Sequence, residues 1–277
     1  MAAEFTAEEI MDLTGGRLAA GMMPDEAARI VIDTRGEIEG AWFLALPGKK
    51  YDGHDFLGDA FNNGALGCIV ADRPAYAIAS TSFPLLAVGD CGEALTQLAR
   101  NWRRRTLKKL CLVVAAGADD NLFARVCGYL RELADRSGGH SGADHGDAGG
   151  QKFLHWRKDP ASIMAEFLAL DDGEDFLIAD FAPRSLADVP ALLACLAPNA
   201  AVIPEQPFDY ERLVLDEVAY AQLKATILAA LSEQKRPPCL TVSLEEAVIP
   251  QDSGDEADRL RLYKALQDAG LGPQMGL

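Results

Sequence analysis

The sequence has no Cys-x-x-Cys pair. Its six cysteines, Cys68, Cys91, Cys111, Cys127, Cys195 and Cys239, are scattered, most of them inside apolar runs. That spacing gives neither a zinc knuckle nor a disulfide frame and predicts buried thiols in a reducing cytoplasm. No stretch reaches the roughly 18 uninterrupted apolar residues of a membrane helix, so membrane insertion is not expected. Residues 1–12 carry acids and no basic preface to an apolar core, which predicts no signal peptide. Positive charge is also scarce: 26 Lys and Arg stand against 42 Asp and Glu, a net charge of −16. Such a balance disfavours nucleic acid or an anionic membrane surface as a partner. The deficit is uneven, with 12 basic against 15 acidic residues in 1–110 and 14 against 27 in 111–277.

What is present is ordinary globular chemistry. The 277 residues are 49% hydrophobic and 25% charged, enough for a sizeable core and, by length, for two domains. Residues 5–20 read as a short amphipathic helix capped by Thr6 and ended by Gly15-Gly16. Strands are predicted at Ala28–Asp33, Trp42–Leu46, Leu66–Ala71 and Leu85–Val88. Helices are predicted from Asp52 to Asn62 and from Gly92 to Arg105. Arg103-Arg104-Arg105 and Lys108-Lys109 form a basic link that suits a helix carboxyl end. Beyond it strands and helices alternate. Strands are expected at Leu112–Ala116, Lys152–Trp156, Phe176–Asp180, Ala200–Pro204 and Leu240–Ser243. Helices are expected at Asn121–Ser137, Ser162–Leu170, Ser185–Ala197 and Leu215–Leu231, with a last one over 255–270. The order implies a small α/β domain over 1–108 and a mostly parallel, doubly covered sheet over 109–277.

Leu112–Ala116 runs into Gly117, Ala118, Asp119, Asp120, Asn121 and Leu122. This is the strand–Gly turn–helix layout of a phosphate-binding loop without its chemistry. Such a loop needs glycines for backbone approach, a Lys on the phosphates and a hydroxyl on magnesium. Here Asn121 and Leu122 take the last two places and two carboxylates occupy the tip. Two like charges ~4 Å apart repel by about 4 kcal/mol at an effective dielectric of 20. The same residues also suit an ordinary turn whose aspartates face a helix amino end. Between 137 and 151 a Gly/Ser-rich loop carries His140, Asp144, His145 and Asp147. These are metal-ligand types, but the sequence fixes no ligand geometry for them, and a solvated loop is expected.

Several blocks of the first domain, in order and at matching spacing, resemble the Mur ligase family. They are Asp33-Thr34-Arg35, Phe43-Leu44-Ala45-Leu46-Pro47-Gly48 and Asp52-Gly53-His54-Asp55-Phe56, continued by Ala60, Gly64, Ala65 and the stretch from Asp90 to Trp102. The nearest branch is the one that joins D-alanyl-D-alanine to UDP-N-acetylmuramoyl tripeptide. The second domain resembles that family's P-loop-type ATPase domain as a scaffold with a degenerate loop. By the resemblance Asp180 takes the place of a magnesium-binding Glu. The metal-site His falls near Phe208 and the carbamoylated Lys at Gln222, with Lys224 two positions away. The family's third, amino-acid-binding domain is expected to be absent.

The resemblance implies a site for the UDP end of a muramoyl-peptide precursor. Thr34 and Arg35 would meet uridine or diphosphate, Gly48 would let backbone approach, Lys49 would add charge, and Asp52 and His54 would sit at a helix start that favours anions. A purely local reading stands beside it: Asp33 as turn former, Asp52 as N-cap, Gly53 for turn geometry and His54 as a packing residue. For the second domain the resemblance implies ATP and magnesium, and the substitutions imply their loss, with no metal and no catalytic residue retained. Two functions follow. One is a catalytically inactive relative that binds a UDP-muramoyl-peptide, a Mur enzyme or a cell-wall protein in a regulatory or scaffolding role. The other is a ligase with a rebuilt nucleotide site or a partner chain supplying the missing domain.

Overall fold

The computed structural model describes residues 2–48, 50–72, 83–106, 111–116, 151–155, 160–170, 176–181, 186–198, 200–203, 217–233 and 240–243. The Gly117–Leu122 turn, the expected helices Asn121–Ser137 and 255–270, the His-bearing loop 137–150 and Lys49 lie outside them. Each sheet belongs to its own compact unit, one built from residues 1–106 with 160–172, the other from 107–159 with 173–277.

In the first unit Thr6 and Glu9 form a capping box. The Thr6 hydroxyl accepts the Glu9 N–H at 3.2 Å and the Glu9 carboxylate accepts the Thr6 N–H at 3.0 Å. This starts helix α1 (Ala7–Thr14), which Gly15 ends in the left-handed region at φ 66°. The helix therefore does not run to residue 20, because Arg17–Ala20 leaves Gly16 as a strand, β1. Then come β2 (Ile30–Val31), β3 (Trp42–Leu44), helix α2 (Leu57–Asn62), β4 (Gly67–Ala71), β5 (Leu85–Val88) and helix α3 (Cys91–Thr106). The sheet order is β1-β5-β4-β3-β2, with β1 antiparallel to β5 and the other pairs parallel.

Every residue of β3, β4 and β5 is buried, as in a parallel sheet covered on both faces. On one face Phe43, Ala45, Cys68, Val70, Leu85 and Ala87 form a cluster, packed by Phe56, Leu57 and Phe83. Burial there pushes the Cys68 thiol up to about 12, so it stays protonated and inert. Trp42 lies in register with Gly67, and a Cβ on Gly67 would collide with the indole. The Trp42 Nε1–H donates to the Phe5 carbonyl at 3.2 Å, which ties the amino-terminal segment to the sheet.

Helix α4 (Pro160–Leu168) completes this unit although in sequence it follows the strand Gln151–His155 of the other one. It lies on α3, where the Thr96 hydroxyl donates to Met164 Sδ at 3.6 Å, and its Leu168 carbonyl accepts the Ala3 N–H at 3.0 Å. Ile163, Met164, Phe167 and Leu168 are all buried.

The second unit holds β6 (Cys111–Ala116), β7 (Gln151–His155), β8 (Phe176–Phe181), helix α5 (Val189–Leu196), β9 (Ala200–Ile203), helix α6 (Glu217–Glu233) and β10 (Leu240–Ser243). Its sheet is parallel throughout, in the order β10-β9-β6-β8-β7. The molecule is thus α/β with mostly parallel sheets, as its alternating pattern predicts. No helix among the described residues is long and apolar enough to cross a membrane.

Removing α4 from the first unit should unfold it. Burying its four apolar side chains is worth roughly 6–12 kcal/mol at most, the same scale as the about 5–15 kcal/mol of a whole domain. A fragment of residues 1–106 should show no cooperative thermal transition by calorimetry. The same fragment joined by a flexible linker to residues 160–172 should regain one.

Candidate functional site

Strands β2 and β3 are parallel neighbours, so the chain leaves both at the same edge of the first sheet. Ile32 to Arg35 follows β2 and Leu46 to Asp52 follows β3. Between these exits lies a groove of about 530 Å³. Ile32, Phe43 and Leu46 form its apolar floor, Asp33, Thr34 and Arg35 one wall, and Tyr51, Gly53 and Phe56 the other.

The first wall is organised by Asp33. Its Oδ1 accepts the Arg35 backbone N–H at 3.0 Å, a turn closed by the side chain, and the guanidinium then folds back. Arg35 Nε donates to Oδ1 at 2.9 Å and Nη2 to Oδ2 at 2.6 Å, a bidentate pair at the surface. Those side-chain bonds, then the backbone N–H, hold the Asp33 carboxyl down to about 2. Arg35 remains 88% exposed and its Nη1 has no hydrogen-bond partner among the described residues. The Thr34 hydroxyl likewise has none.

The second wall rests on a closed loop. Pro47 and Asp52 face each other in an antiparallel bridge whose hydrogen bonds run between their neighbours: the Gly48 N–H donates to the Tyr51 carbonyl at 3.0 Å and the Gly53 N–H to the Leu46 carbonyl at 2.9 Å. A Cβ on Gly48 would lie 2.6 Å from that carbonyl oxygen, so only glycine fits. The loop presents Tyr51, 63% exposed, with its ring edge-on to Phe56 and Lys50 Nζ 5.2 Å from its centroid.

Below Tyr51 the chain turns into a short 3-10 helix, Gly53–Phe56, capped by Asp52. Asp52 Oδ1 accepts the His54 backbone N–H at 3.0 Å and lies 2.6 Å from His54 Nδ1. On the ring's other side Nε2 is 2.9 Å from the Ala71 N–H of β4, a group that can only donate. Nε2 is therefore the acceptor and Nδ1 carries the proton given to Asp52. A Cβ on Gly53 would stand 2.7 Å from the Leu46 nitrogen, so this turn lies directly on the end of β3.

Of the expected binding residues, Thr34 and Arg35 line the groove. Gly48 shapes the loop behind it, and Lys49 lies outside the described residues. Asp52 and His54 face inward: the His54 side chain is 1% exposed and both its ring nitrogens are engaged by the protein. For these two the structure matches the local reading, N-cap and packing residue. The aromatic wall was not foreseen. Its only signal was Tyr51, an aromatic residue set in a turn between Pro47-Gly48 and Asp52-Gly53.

In the second unit β6 lies between β9 and β8, and open parallel sheets take ligands at the carboxyl ends of strands beside such a central reversal. Asp180 pairs there with Ala115 on one side and His155 on the other. Gln222 is exposed on α6, and Lys224 places its Nζ 5.1 Å from the Tyr220 ring centroid, one turn back on the helix. Among the described residues no cluster of three metal-ligating side chains occurs.

Two measurements check this geometry. Replacing His54 with Leu strands the buried Ala71 N–H without an acceptor, at a cost of about 1–3 kcal/mol. The melting temperature should fall by several degrees, roughly 2–8 °C per kcal/mol depending on the size of the cooperative unit. Asp33 has its carboxyl depressed, so its pairing stabilises the fold fully above its ordinary value of 3.8 and is lost as pH falls toward about 2. Over that window the urea midpoint of wild type should decline slightly more than that of Asp33→Asn.

Comparison with known proteins accords with this architecture. No family model matches the chain. The UDP-N-acetylmuramoyl-tripeptide–D-alanyl-D-alanine ligase of Synechocystis is 27% identical over 201 residues, 72% of this chain and 40% of that protein. The UDP-N-acetylmuramoyl-L-alanyl-D-glutamate–2,6-diaminopimelate ligase of Parabacteroides distasonis is 31% identical over 114 residues, 40% of this chain and 23% of that one. The crystal structure of MurF from Acinetobacter baumannii superimposes with a TM-score of 0.62 at 20% identity, over 83% of this chain and 47% of that one. In each comparison the matched part is less than half of the relative's length. Sequence relatives and fold neighbours agree: the chain is similar to the Mur ligases, MurF among them, over part of its length and of theirs.

Proposed function

We propose that the first unit docks the UDP end of a UDP-N-acetylmuramoyl-peptide and that the chain does not catalyse ligation, acting as a regulatory or scaffolding relative of Mur enzymes. The observation that carries the reading is the groove: an exposed aromatic ring faces a hydroxyl and a guanidinium across an apolar floor. Tyr51 offers a face on which a base can stack, and Thr34 and Arg35 offer hydrogen bonds to the groups attached to it. The two kinds of relative act, by their names, on precursors that share the UDP-N-acetylmuramoyl head and differ in peptide length. A groove shared with both kinds would read that common head rather than the peptide.

The reading of inactivity rests on the donor set. Phosphoryl transfer depends on positioned cations and metal around the phosphates. Asn121 and Leu122 supply neither ammonium nor hydroxyl, Asp119 and Asp120 add negative charge, and Gln222 cannot be carbamoylated. These residues do not fit magnesium–ATP. A Mur enzyme or cell-wall protein as partner belongs to the same proposal.

Calorimetric titration separates this from a ligase with a rebuilt nucleotide site. UDP-N-acetylmuramoyl tripeptide should bind the full chain while magnesium–ATP should not. Tyr51→Ala should weaken precursor binding roughly ten- to a hundredfold, the size of one ring–base stack of about 1–3 kcal/mol, without moving the melting temperature. Saturable binding of magnesium–ATP, abolished by Asn121→Ala, would reverse the second half of the proposal.

A further inference from the structure

The groove is poorly built to hold a phosphate by charge. Of the nine described residues that line it, Asp33 and Arg35 carry the charge, and they neutralise each other through a bidentate contact. The rest is a floor of three apolar residues and a wall with two aromatic rings. Lys50, one residue before Tyr51, has its ammonium 5.2 Å from the centroid of that ring.

We propose that Asp33 is the specificity-determining residue of the groove: by holding the Arg35 guanidinium it keeps the site neutral, so a ligand is admitted for its flat ring and not for its anionic charge. The inference rests on the reading that the groove takes the nucleotide end of a precursor, and it says which part of that end supplies the affinity. Geometry carries it. Arg35 gives its Nε–Nη2 edge to the two Asp33 oxygens, at 2.9 and 2.6 Å, so a phosphate is left only the Nη1 edge of a guanidinium whose charge the carboxylate already offsets. An incoming phosphate would have to displace the carboxylate or accept it as a neighbour. Asp33 is ionised throughout the neutral range, since Arg35 holds its carboxyl low. Without Asp33 an anion would meet an exposed guanidinium at the groove, and the carboxylate offsets that attraction.

The test is a gain of function. Asp33→Asn keeps the side-chain oxygen that accepts the Arg35 N–H, so the turn survives, but it frees the guanidinium. The full chain is titrated with uridine, UDP and inorganic diphosphate at low and at physiological salt. For wild type, UDP should bind within about threefold of uridine, short of one charge-assisted hydrogen bond, and inorganic diphosphate should not bind. For Asp33→Asn, UDP should tighten by roughly tenfold or more and diphosphate binding should appear, both weakening as salt is raised. Uridine should be unchanged, and adding Arg35→Ala to Asp33→Asn should erase the gain. Asp33→Ser provides a second neutral variant, and melting curves verify that each is folded. The proposal is overturned if wild type already prefers UDP over uridine by more than about tenfold, or if folded Asp33→Asn and Asp33→Ser gain nothing for either anion. A wild type that binds the muramoyl precursor while Asp33→Asn gains nothing overturns this inference alone. A wild type that binds neither uridine, UDP nor the precursor overturns the groove reading and this inference with it.

Discussion

The groove depends on one buried imidazole. His54 spans the gap between the Asp52 carboxylate and the Ala71 N–H, and so ties the 3-10 turn directly to β4. With that ring in place the 3-10 turn is pinned against β4, Gly53 lies on the end of β3, and the Pro47–Asp52 bridge is closed at its base. Tyr51 can then stand 63% exposed on a loop whose carbonyl is already bonded to Gly48. An aromatic ring held out in water has a use only if the loop beneath it is fixed, because the entropy of ordering it would otherwise be charged to the ligand.

The opposite wall is held differently. Asp33 and Arg35 are surface residues, and their pair adds little to folding in screened solvent. What it fixes is direction. The Asp33-closed turn sets the Arg35 backbone, and the carboxylate then holds Nε and Nη2 while Nη1 has no partner among the described residues. The groove therefore has one wall whose geometry the fold enforces and one whose geometry is local to three residues. A substitution in the support of the first, at Asp52, Gly53 or His54, is read in stability, and one at the groove-facing Tyr51, Thr34 or Arg35 in binding.

The fold was legible wherever local pattern and burial agree. Apolar runs such as Leu85–Val88 gave the strands to within a residue or two, and the Thr6 to Glu9 spacing gave the start of α1. Arg17–Ala20 was hidden because it continues the composition of the helix before it, and only the positive φ of Gly15 separates them. Helix α4 was visible as a helix, but its place on α3 was not, since no local signal says which sheet a connecting helix will cover. The site was legible at Thr34 and Arg35. Its apolar floor and aromatic wall were not, because Phe43, Leu46 and Phe56 read as core residues until two strand exits converge on them.

This distinction changes what the family likeness means. Asp52, Gly53 and His54 are among the residues most like those of the Mur ligases, yet each is required here by packing: a cap, a turn with no room for a Cβ, a buried ring between two partners. A chain that bound nothing would need them just as much, so their presence says the fold is intact and says little about a ligand. The same holds for the second sheet. Its registers from β6 to β8 and β9 are backbone pairings within the strands themselves, and they say nothing of a ligand. The informative residues are those that the fold does not demand. Thr34, Arg35 and Tyr51 could be replaced without loss of core, and all three converge on one groove. Their arrangement, rather than the stronger-looking motif beside them, is where the case for ligand binding stands.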